Sequence, residues 1–515
     1  MTKENYLNLA SAKDLSNRWQ RLLYRCLEIL PGFLSWGIFC LIFLLSWLAP
    51  EIATFIIIAF ACFWLTKVFY LSFHQLSGYR LMKKNLSINW LAKVKELENW
   101  SEIYHLVILP LCREDISIVR SSLQAIYKAN YPKEKIMVVL TGEERGGEAI
   151  KKVLAQAQKE FGNKFFKFLI TIHPKNLPGE FPGKGSNVAW AVKEAEKLIK
   201  QSGLPEEKII VSNFDIDTRP FPEYFAVLTW HYLKTPNPLR ASYQPIPIYA
   251  NNIWEVPVFS RLVAVSGTFW QMIQQERPEQ LVSYSSHALS FKTLKEVGYP
   301  NNLVSDDSRI FWKAYLFYNG DYRVVPLYYP ISMDAVMAKT FFRTLINQYK
   351  QQRRWSWGCE NIPYLLYGFL QNKKIPWREK IRHSWIILDG FCSWAVAALI
   401  IFFFGWLPLI LGNISFRVSL LSYNLPQVTS LLMTIAMFGM LVSAILNFSL
   451  LPPRPPHFSR WKSVAMVLQW LLLPIVLIVF GSFPALESQT RLALQKRLDF
   501  WVTEKIRKEE MNYSK

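Results

Sequence analysis

The chain has 515 residues, of which 51% are hydrophobic and 19% are charged, and its formal net charge is +21. This composition is too apolar for a purely soluble protein and too charged for a bundle of membrane helices alone, so we expect both kinds of structure, in two or three units. The positive charge fits anionic lipid headgroups or a phosphate-bearing substrate, and nucleic acid is disfavoured because no aromatic-basic binding module is found.

Two apolar stretches near the N-terminus are each long enough to cross a bilayer. They cover residues 33–49 and 52–70, and each can span roughly 30 Å of hydrocarbon as a helix. Only Pro50 and Glu51 separate them. The sequence therefore predicts a transmembrane hairpin over 33–72 after an N-terminal cytoplasmic segment, 1–32, whose polar character argues against a signal peptide.

Residues 73–345 have the composition of a soluble domain in which strands and helices alternate. Strand patterns occur at 105–111, 134–140, 165–172 and 208–214, and helical patterns at 114–130, 146–160 and 186–201. The connections have the length expected of a parallel sheet with helical crossovers. We therefore expect an α/β domain inserted between transmembrane helices.

The C-terminal third returns to membrane-like sequence. Residues 346–384 are basic and aromatic and predict interfacial helices, and 385–484 contains three further membrane-length runs, the last at 464–483. Basic residues in the links place the N-terminus and the large domain in the cytoplasm of a multi-pass protein in the plasma membrane or cell inner membrane. Three full spans would put the tail, 485–515, outside, unless 464–483 is re-entrant.

A pair of carboxylates follows the fourth predicted strand. Asp215 and Asp217, in NFDIDTRP, come directly after residues 208–214, at the edge of the sheet where α/β proteins bind ligands. Carboxylates two residues apart can share Mg²⁺ or Mn²⁺ with a bound diphosphate. The pattern is also common in ordinary loops, so by itself it is a weak signal.

Two predicted helix starts carry further charged groups. GEFPGKGSN places Lys184 before a helix, which suits an anion but also describes a capped helix with a solvated lysine. VSDDSRIF places Asp306 and Asp307 at another helix start. The helix dipole favours ionised carboxylates there, which suits a general base as well as plain capping.

The stretch QQRRWSWG, residues 351–358, combines amides, guanidiniums and tryptophans close to the membrane. A guanidinium makes bidentate hydrogen bonds with phosphate, and an indole offers a flat apolar face to a sugar ring. An interfacial anchor is the simpler interpretation. It accounts for the Trp and Arg residues but not for the other motifs.

The order of these motifs resembles that of the membrane-embedded family 2 glycosyltransferases, the group that contains bacterial cellulose, chitin and hyaluronan synthases. The resemblance covers most of 73–360, and FWVTEK at 500–505 is similar to the FxVTxK gating-loop motif of cellulose synthases. It implies a GT-A fold, with a Rossmann-like mixed sheet, and inverting, metal-dependent hexosyl transfer from a nucleotide-sugar to a growing polysaccharide. Transfer to a lipid carrier or glycolipid and a non-catalytic membrane scaffold are the alternatives.

The resemblance also assigns roles to residues. Asp217 would bind Mg²⁺ or Mn²⁺ together with Asp215, and Asp307, beside Asp306, would act as the general base. Contacts to the donor, with a UDP-sugar expected, are assigned to Lys184, Asn187, Glu143, Asp215, Gln351, Arg354, Thr503 and Lys505. Trp355 would stack on the acceptor sugar. Membrane lipids and a polysaccharide or lipid-linked acceptor are the other expected partners, and accessory subunits stay open.

Two segments depart from the family pattern. VVLTGEER has Leu140 and Thr141 where many members hold the base and ribose with an acidic pair, so Glu143 or Glu144 would have to substitute. YSSHALSF lacks the glycine-rich acceptor segment, and its His287 is expected to be structural. The first departure leaves the base of the donor open, and the second leaves processivity open.

Overall fold

The structure is a computed structural model that describes residues 6–498. Its helices, in chain order, are α1 (Arg18–Leu48), α2 (Pro50–Leu86), α3 (Trp90–Lys95), α4 (Ile116–Lys128), α5 (Gly147–Phe161), α6 (Lys184–Ser202), α7 (Tyr224–Lys234), α8 (Val258–Gln275), α9 (Phe291–Val297), α10 (Asp306–Phe317), α11 (Phe341–Ser356), α12 (Asn361–Gln371), α13 (Trp377–Phe402), α14 (Leu407–Leu411), α15 (Ile414–Arg417), α16 (Leu420–Leu450), α17 (Arg460–Leu468), α18 (Leu473–Val476) and α19 (Phe483–Ala493). Its strands are β1 (Tyr104–Leu111), β2 (Ile136–Glu143), β3 (Lys167–His173), β4 (Ile209–Asn213), β5 (Arg219–Pro220), β6 (Ala241–Ile248), β7 (Ala288–Ser290) and β8 (Arg323–Ser332).

The strands form one mixed sheet of eight strands in the order β3-β2-β1-β4-β7-β6-β8-β5. The four strands predicted from the sequence make its parallel half, in which β1 lies between β2 and β4, and β3 pairs with β2. The short strand β7 runs antiparallel to both β4 and β6 and joins the two halves. The expected α/β domain with a mixed sheet is confirmed, whereas the finer GT-A assignment stays a prediction.

The parallel strands are aliphatic because helices cover both faces of this half of the sheet. Successive residues of β1 belong to opposite apolar layers: Leu106 and Ile108 pack with the α6 side, and Val107 and Leu109 pack with α4 and α5. Seven of the eight residues of β1 and all eight of β2 are buried. This two-sided burial fixes the register of the strands and therefore the place where each one ends.

The ends of the parallel strands create the site. Leu111 of β1 pairs with Gly142 of β2, and Ile108 of β1 pairs with Asn213 of β4. Because parallel strands point the same way, the residues after Leu111, Gly142 and Asn213 lie at one edge of the sheet. Residues that are far apart in the chain can meet there.

Five helical segments within residues 6–498 are long and apolar enough to cross a membrane. They are Arg18–Leu48, Pro50–Leu86, Trp377–Phe402, Leu420–Leu450 and Arg460–Ala493. The hairpin between the first two turns on Ala49 alone, close to the predicted position. The α2 and α16 helices pack closely where Gly439 leaves room, since a Cβ there would lie 2.4 Å from Val68.

The C-terminal helical segment, Arg460–Ala493, changes helix type along its length. Its α17, α18 and α19 helices are separated by a 3₁₀ turn and by a π-helix at Leu477–Ser482. Pro474 and Pro484 each remove a backbone donor within it. Such breaks allow the segment to change direction inside the apolar bundle.

Both ends of the C-terminal helical segment contact the side of the molecule that carries the α/β domain. Near its start, Gln469 Oε1 accepts a hydrogen bond from Arg261 of α8 at 2.9 Å. Near its end, Glu487 accepts from Arg353 of α11 at 2.7 Å, and Ser488 bonds Ser356 at 2.8 Å. Re-entry of this segment into the membrane stays a prediction.

Candidate active site

The charged residues singled out in the sequence meet at the carboxyl edge of the parallel strands. Asp215 follows β4, Lys184 is the first residue of α6, and Asp307 lies in the first turn of α10. The Lys184 Nζ atom is 2.6 Å from Asp215 Oδ1 and 2.9 Å from Asp307 Oδ1. Three separate sequence motifs therefore form one cluster.

A glycine allows α6 to begin against α10. A Cβ on Gly185 would lie 2.5 Å from the carbonyl oxygen of Pro300 and 3.0 Å from the Cβ of Asp306. Any side chain would push the two helix starts apart. In GKGSN, the glycine after Lys184 therefore serves a close approach that brings the ammonium group to the second carboxylate.

Lys184 is a fixed positive charge between two negative ones. Burial alone would lower the pKa of its ammonium group, but the carboxylates of Asp215 and Asp307 more than offset that effect, and the pKa of Lys184 lies above its ordinary value. The ammonium group also lies at a helix N-terminus, where backbone N–H groups favour anions. The place is suited to a diphosphate.

Asp217 is fully buried, and main-chain groups fix its orientation. Its Oδ2 atom accepts a hydrogen bond from the backbone N–H of Asp334 at 2.8 Å. Asn251 donates to the carbonyl oxygen of Asp217 at 3.1 Å and to Asp334 Oδ1 at 2.7 Å. Sequence reasoning missed Asn251 and Asp334, which lie in loops after β6 and β8.

Asp215 is held by the segment that departs from the family pattern. Ser285, in YSSHALSF, donates a hydrogen bond from Oγ to Asp215 Oδ2 at 2.6 Å. His287 of the same segment is fully buried, and burial lowers its pKa, so the neutral ring is favoured. Its Nδ1 atom bonds the carbonyl oxygen of Tyr284 at 2.8 Å. These contacts fit the structural role expected of His287.

The two aspartates at the start of α10 face different surroundings. Asp306 is buried and accepts a hydrogen bond from the Tyr299 hydroxyl at 3.0 Å. Burial, and then the neighbouring charge of Asp307, raise the pKa of Asp306 above its ordinary value. Asp307 faces Lys184 instead. Of the two, Asp307 is therefore better placed to meet a substrate hydroxyl.

Two predicted donor contacts are tied into the protein. Asn187 is fully buried, donates to the carbonyl oxygen of Thr141 at 3.0 Å and accepts from Thr141 Oγ1 at 2.6 Å. Glu143, the last residue of β2, forms an ion pair with Arg145. Both Asn187 and Glu143 nevertheless line the cavity that contains the carboxylates, and their contact with a donor stays a prediction.

The residues of QQRRW lie on the last turns of α11. Gln351, Arg354 and Trp355 line the same cavity as the carboxylates. The ring of Trp355 lies 6.2 Å from that of Tyr249, at 38°. Arg353 lines this cavity too and forms an ion pair with Glu487 at 2.7 Å. Thr503 and Lys505, with the rest of FWVTEK, lie outside the described residues.

This cavity is large, about 1640 Å³, and it connects the carboxylate cluster to the helices. At the sheet edge it is lined by Lys184, Asp215, Asp217 and Asp307, and it continues between α2, α13 and α16. A substrate at the carboxylates would thus have a route into the apolar part of the protein without leaving the cavity.

The carboxylate pair suits a divalent cation. Asp215 and Asp217 supply the oxygen ligands that Mg²⁺ and Mn²⁺ prefer, and such ions commonly complete their shell with substrate phosphate and water. Within residues 6–498 no group of three His, Cys, Asp or Glu side chains that could hold a metal is formed. Two carboxylates fit an ion whose remaining ligands come from a diphosphate and water.

Comparisons with known proteins give structural similarity only. No family model and no curated protein matches the chain. The chain is similar to the mannosyltransferase PcManGT from Pyrobaculum calidifontis, solved with GDP-Man and Mn²⁺, at 14% identity and a TM-score of 0.40 over 85% of this chain and 98% of that one.

Two structures of S. aureus TarS 1-349 are also similar. One shares 13% identity at a TM-score of 0.36 over 72% of this chain and 90% of that one. The other, solved with UDP-GlcNAc, shares 13% identity at 0.35 over 78% and 95%. At these TM-scores the likenesses carry no argument for function, which must be inferred from the chain's own residues.

Proposed function

We propose that the protein is an inverting, metal-dependent family 2 glycosyltransferase that moves a hexose from a nucleoside-diphosphate sugar to an acceptor at the membrane. The observation that carries this proposal is the bridge formed by Lys184 between Asp215 and Asp307, at 2.6 and 2.9 Å. It sets a cation and two carboxylates in a cavity that Arg354 and Trp355 also line. A scaffold would not require this juxtaposition.

The donor diphosphate would lie against the positive groups of the cavity. Lys184 and the guanidinium of Arg354 both line it, and guanidinium matches phosphate geometry in a bidentate manner. A divalent cation held by Asp215 and Asp217 would neutralise the charge that develops on the leaving diphosphate. Stabilising that charge is the main electrostatic task in such a transfer.

Asp307 is assigned the proton transfer. Its carboxylate accepts the proton of the acceptor hydroxyl as that oxygen forms a bond to the anomeric carbon of the sugar. The bond between the anomeric carbon and the diphosphate oxygen breaks at the same time, and the nucleoside diphosphate leaves with the bonding electrons. A single displacement of this kind inverts the anomeric centre. Trp355 offers its face to the acceptor sugar.

Location follows from the same proposal. The five apolar helical segments would cross or enter the plasma membrane, with the α/β domain in the cytoplasm, where nucleotide-sugars are found. The basic residues of the links support this orientation. The acceptor is either a growing polysaccharide or a lipid-linked molecule, both of which reach the enzyme at the bilayer.

The test is turnover of nucleotide-sugars by the full chain in lipid, with Mn²⁺ or Mg²⁺. We expect release of nucleoside diphosphate from one donor in a panel of UDP- and GDP-sugars. Asp307→Asn should lower the rate by about 10²–10⁴-fold, the range typical of a lost general base, and Asp217→Asn should abolish the metal dependence. The anomeric configuration of the product, read by NMR, tests inversion.

Asp321→Asn is the matched control, because Asp321 is an exposed aspartate in the turn before β8. It should behave as the wild type does. The proposal is wrong if no donor is turned over by folded protein supplied with lipid extracts, or if Asp307→Asn retains the full rate.

A further inference from the structure

The part of the cavity that lies among the helices has a more apolar lining than the part at the sheet edge. On α16 it is lined by Leu432, Met433, Ala436, Met437, Gly439, Met440 and Ser443. Only Ser443 among these offers a hydrogen-bond donor, and its hydroxyl donates to Gln75 at 3.0 Å. A glycan is covered with hydroxyl groups that need partners or water, whereas a hydrocarbon chain needs only an apolar wall.

Side chains of α2, α13 and α16 and of the C-terminal helical segment form the walls of this groove. On one side α2 packs against α16, where Val68 and Ser72 surround Gly439. On the other side α1 and α13 share an apolar cluster that includes Phe39, Ile42 and Leu399. The groove is therefore bounded by helices rather than by the α/β domain.

An ion pair crosses the groove. Lys67 Nζ of α2 lies 3.6 Å from Asp389 Oδ2 of α13, and the ammonium group is 4.8 Å from the ring centre of Trp64. Ser393 donates to Asp389 Oδ1 at 2.9 Å. The pair therefore leaves a cation and an anion facing an otherwise largely apolar groove.

A second cation faces the groove one helical turn nearer the domain. The guanidinium of Arg277, just after α8, lies 5.4 Å from the ring centre of Tyr70, and both residues line the cavity with Lys67. At 1.5 Å per residue, Lys67 lies about 25 Å from the far end of α2. If a hydrocarbon layer roughly 30 Å thick begins at that end, Lys67 lies near the opposite face, next to the headgroup region that contains the lipid phosphates.

We propose that the acceptor is a lipid with a phosphate in its headgroup and a free hydroxyl beyond that phosphate. Its hydrocarbon chain lies in the groove between α2, α13 and α16, and Lys67 and Arg277 bind the phosphate. The hydroxyl beyond the phosphate is the group that Asp307 deprotonates. This inference rests on the proposed function and names its acceptor, because two cations at headgroup depth beside an aliphatic groove complement such a lipid.

The glycines of the membrane helices supply a clean steric test. A Cβ on Gly390 of α13 meets nothing within 4 Å, and Gly390 lines the cavity, so Gly390→Leu should fill the groove without distorting the helix. A Cβ on Gly37 of α1 also meets nothing within 4 Å. Gly37 is not among the residues that line the cavity, and Gly37→Leu is the matched control.

The measurement is photocrosslinking in nanodiscs made with full-length protein. The probe is phosphatidylglycerol with a diazirine in its acyl chain, since that lipid has a phosphate followed by hydroxyl groups, and the comparison probe is the corresponding phosphatidylcholine. We expect phosphatidylglycerol to label residues 385–402 and 432–443. Labelling should fall about fivefold or more for Lys67→Gln with Arg277→Gln, as expected for lost contacts between basic side chains and an anionic headgroup.

Gly390→Leu should abolish labelling by both probes in those ranges, and Gly37→Leu should leave it unchanged. Arg80→Gln, an exposed cation on the same helix as Lys67, is the control for charge. Crosslinking reads lipid binding without turnover, so its failure is distinct from a failure of the proposed function.

Three results would overturn the inference. The first is labelling that is spread over the outer surface and is insensitive to Gly390→Leu. The second is equal labelling by the two lipids that does not change when Lys67 and Arg277 are replaced. The third is elongation of a water-soluble oligosaccharide that Gly390→Leu blocks, which would make the groove a glycan channel.

Discussion

At the scale of single residues, the site depends on the two ion pairs that Lys184 forms. Its ammonium group contacts Asp215 at 2.6 Å and Asp307 at 2.9 Å. A diphosphate or a cation arriving at Asp215 would compete for these contacts. Lys184 is therefore placed to turn from carboxylate to phosphate when a donor binds, which would leave Asp307 facing the acceptor.

The first prediction concerns this lysine. Lys184→Gln should weaken binding of UDP or GDP by about tenfold or more, since a hydrogen bond to a charged group contributes about 1.5–3 kcal/mol. Titration calorimetry in the presence of Mn²⁺ measures the change. Lys197→Gln, on the exposed face of α6, is the control and should bind normally. Unchanged affinity for Lys184→Gln would remove this residue from the donor site.

The second prediction concerns the buried carboxyl of Asp306. The pKa of Asp306 is higher in the folded protein than in the unfolded chain. As pH rises above about 4, the unfolded chain therefore loses this proton before the folded protein does, and the stability of the folded state falls. Asp306→Asn cannot ionise and should be relatively more stable, with a gain that grows as pH rises. Thermal unfolding in detergent from pH 5 to pH 8 measures it, with Asp321→Asn as control. A gain in stability of Asp306→Asn that appears only at acidic pH would contradict the predicted direction of the pH dependence.

At the scale of secondary-structure elements, the site lies where two helices begin beside the ends of parallel strands. The register of β1, β2 and β4 sets one edge, and α6 and α10 both begin beside it. The chain uses a glycine, Gly185, where these two helix starts touch. The same contact sets the distance between Lys184 and Asp307.

The third prediction tests the contact. Gly185→Ala should lower the free energy of unfolding by about 1–3 kcal/mol, as overpacking does, because the new Cβ would lie 2.5 Å from a carbonyl oxygen. It should also lower turnover by separating Lys184 from Asp307. Gly37→Ala, in open space, is the control. If Gly185→Ala has normal stability and normal turnover, the close contact between the starts of α6 and α10 is not required.

Sequence reasoning found the residues that periodicity can mark. Asp215, Lys184 and Asp307 each stand at the end of a buried strand or the start of a helix, but their roles in one site are implied by the resemblance to family 2 glycosyltransferases, because each pattern alone also fits an ordinary loop or helix cap. Ser285, Asn251 and Asp334 were missed because they lie in irregular segments around the antiparallel strands. Pairing of distant strands, rather than local pattern, brings them to the carboxylates.

At the scale of the whole molecule, the path of the C-terminal helical segment would decide which side of the membrane the tail occupies. Gln469 near its start contacts Arg261 of α8, and Glu487 near its end contacts Arg353 of α11. We propose on these contacts that both ends lie on one side. Four crossings and one re-entrant segment would then leave the two chain ends on the same side. The gating role expected of FWVTEK requires that side.

The fourth prediction concerns this arrangement. In a chain whose six native cysteines are replaced by alanine, Lys496→Cys should react with an impermeant maleimide in the same sealed-vesicle orientation as Lys164→Cys, an exposed position before β3. Asn413→Cys, in the link before α16, should react only in the opposite orientation. Joint labelling of positions 496 and 413 would instead show that the last segment crosses the membrane.

Arg353 and Arg354 are consecutive and both line the cavity, and Arg353 is also paired with Glu487 at 2.7 Å. The last turn of α11 thus contacts both the cavity and Glu487. Loss of the ion pair with Glu487 would therefore also make the turn that carries Arg354 and Trp355 less ordered. By thermodynamic reciprocity, a nucleotide that orders Arg354 would in turn favour the contact between Arg353 and Glu487, so that binding in the cavity would be transmitted to α19.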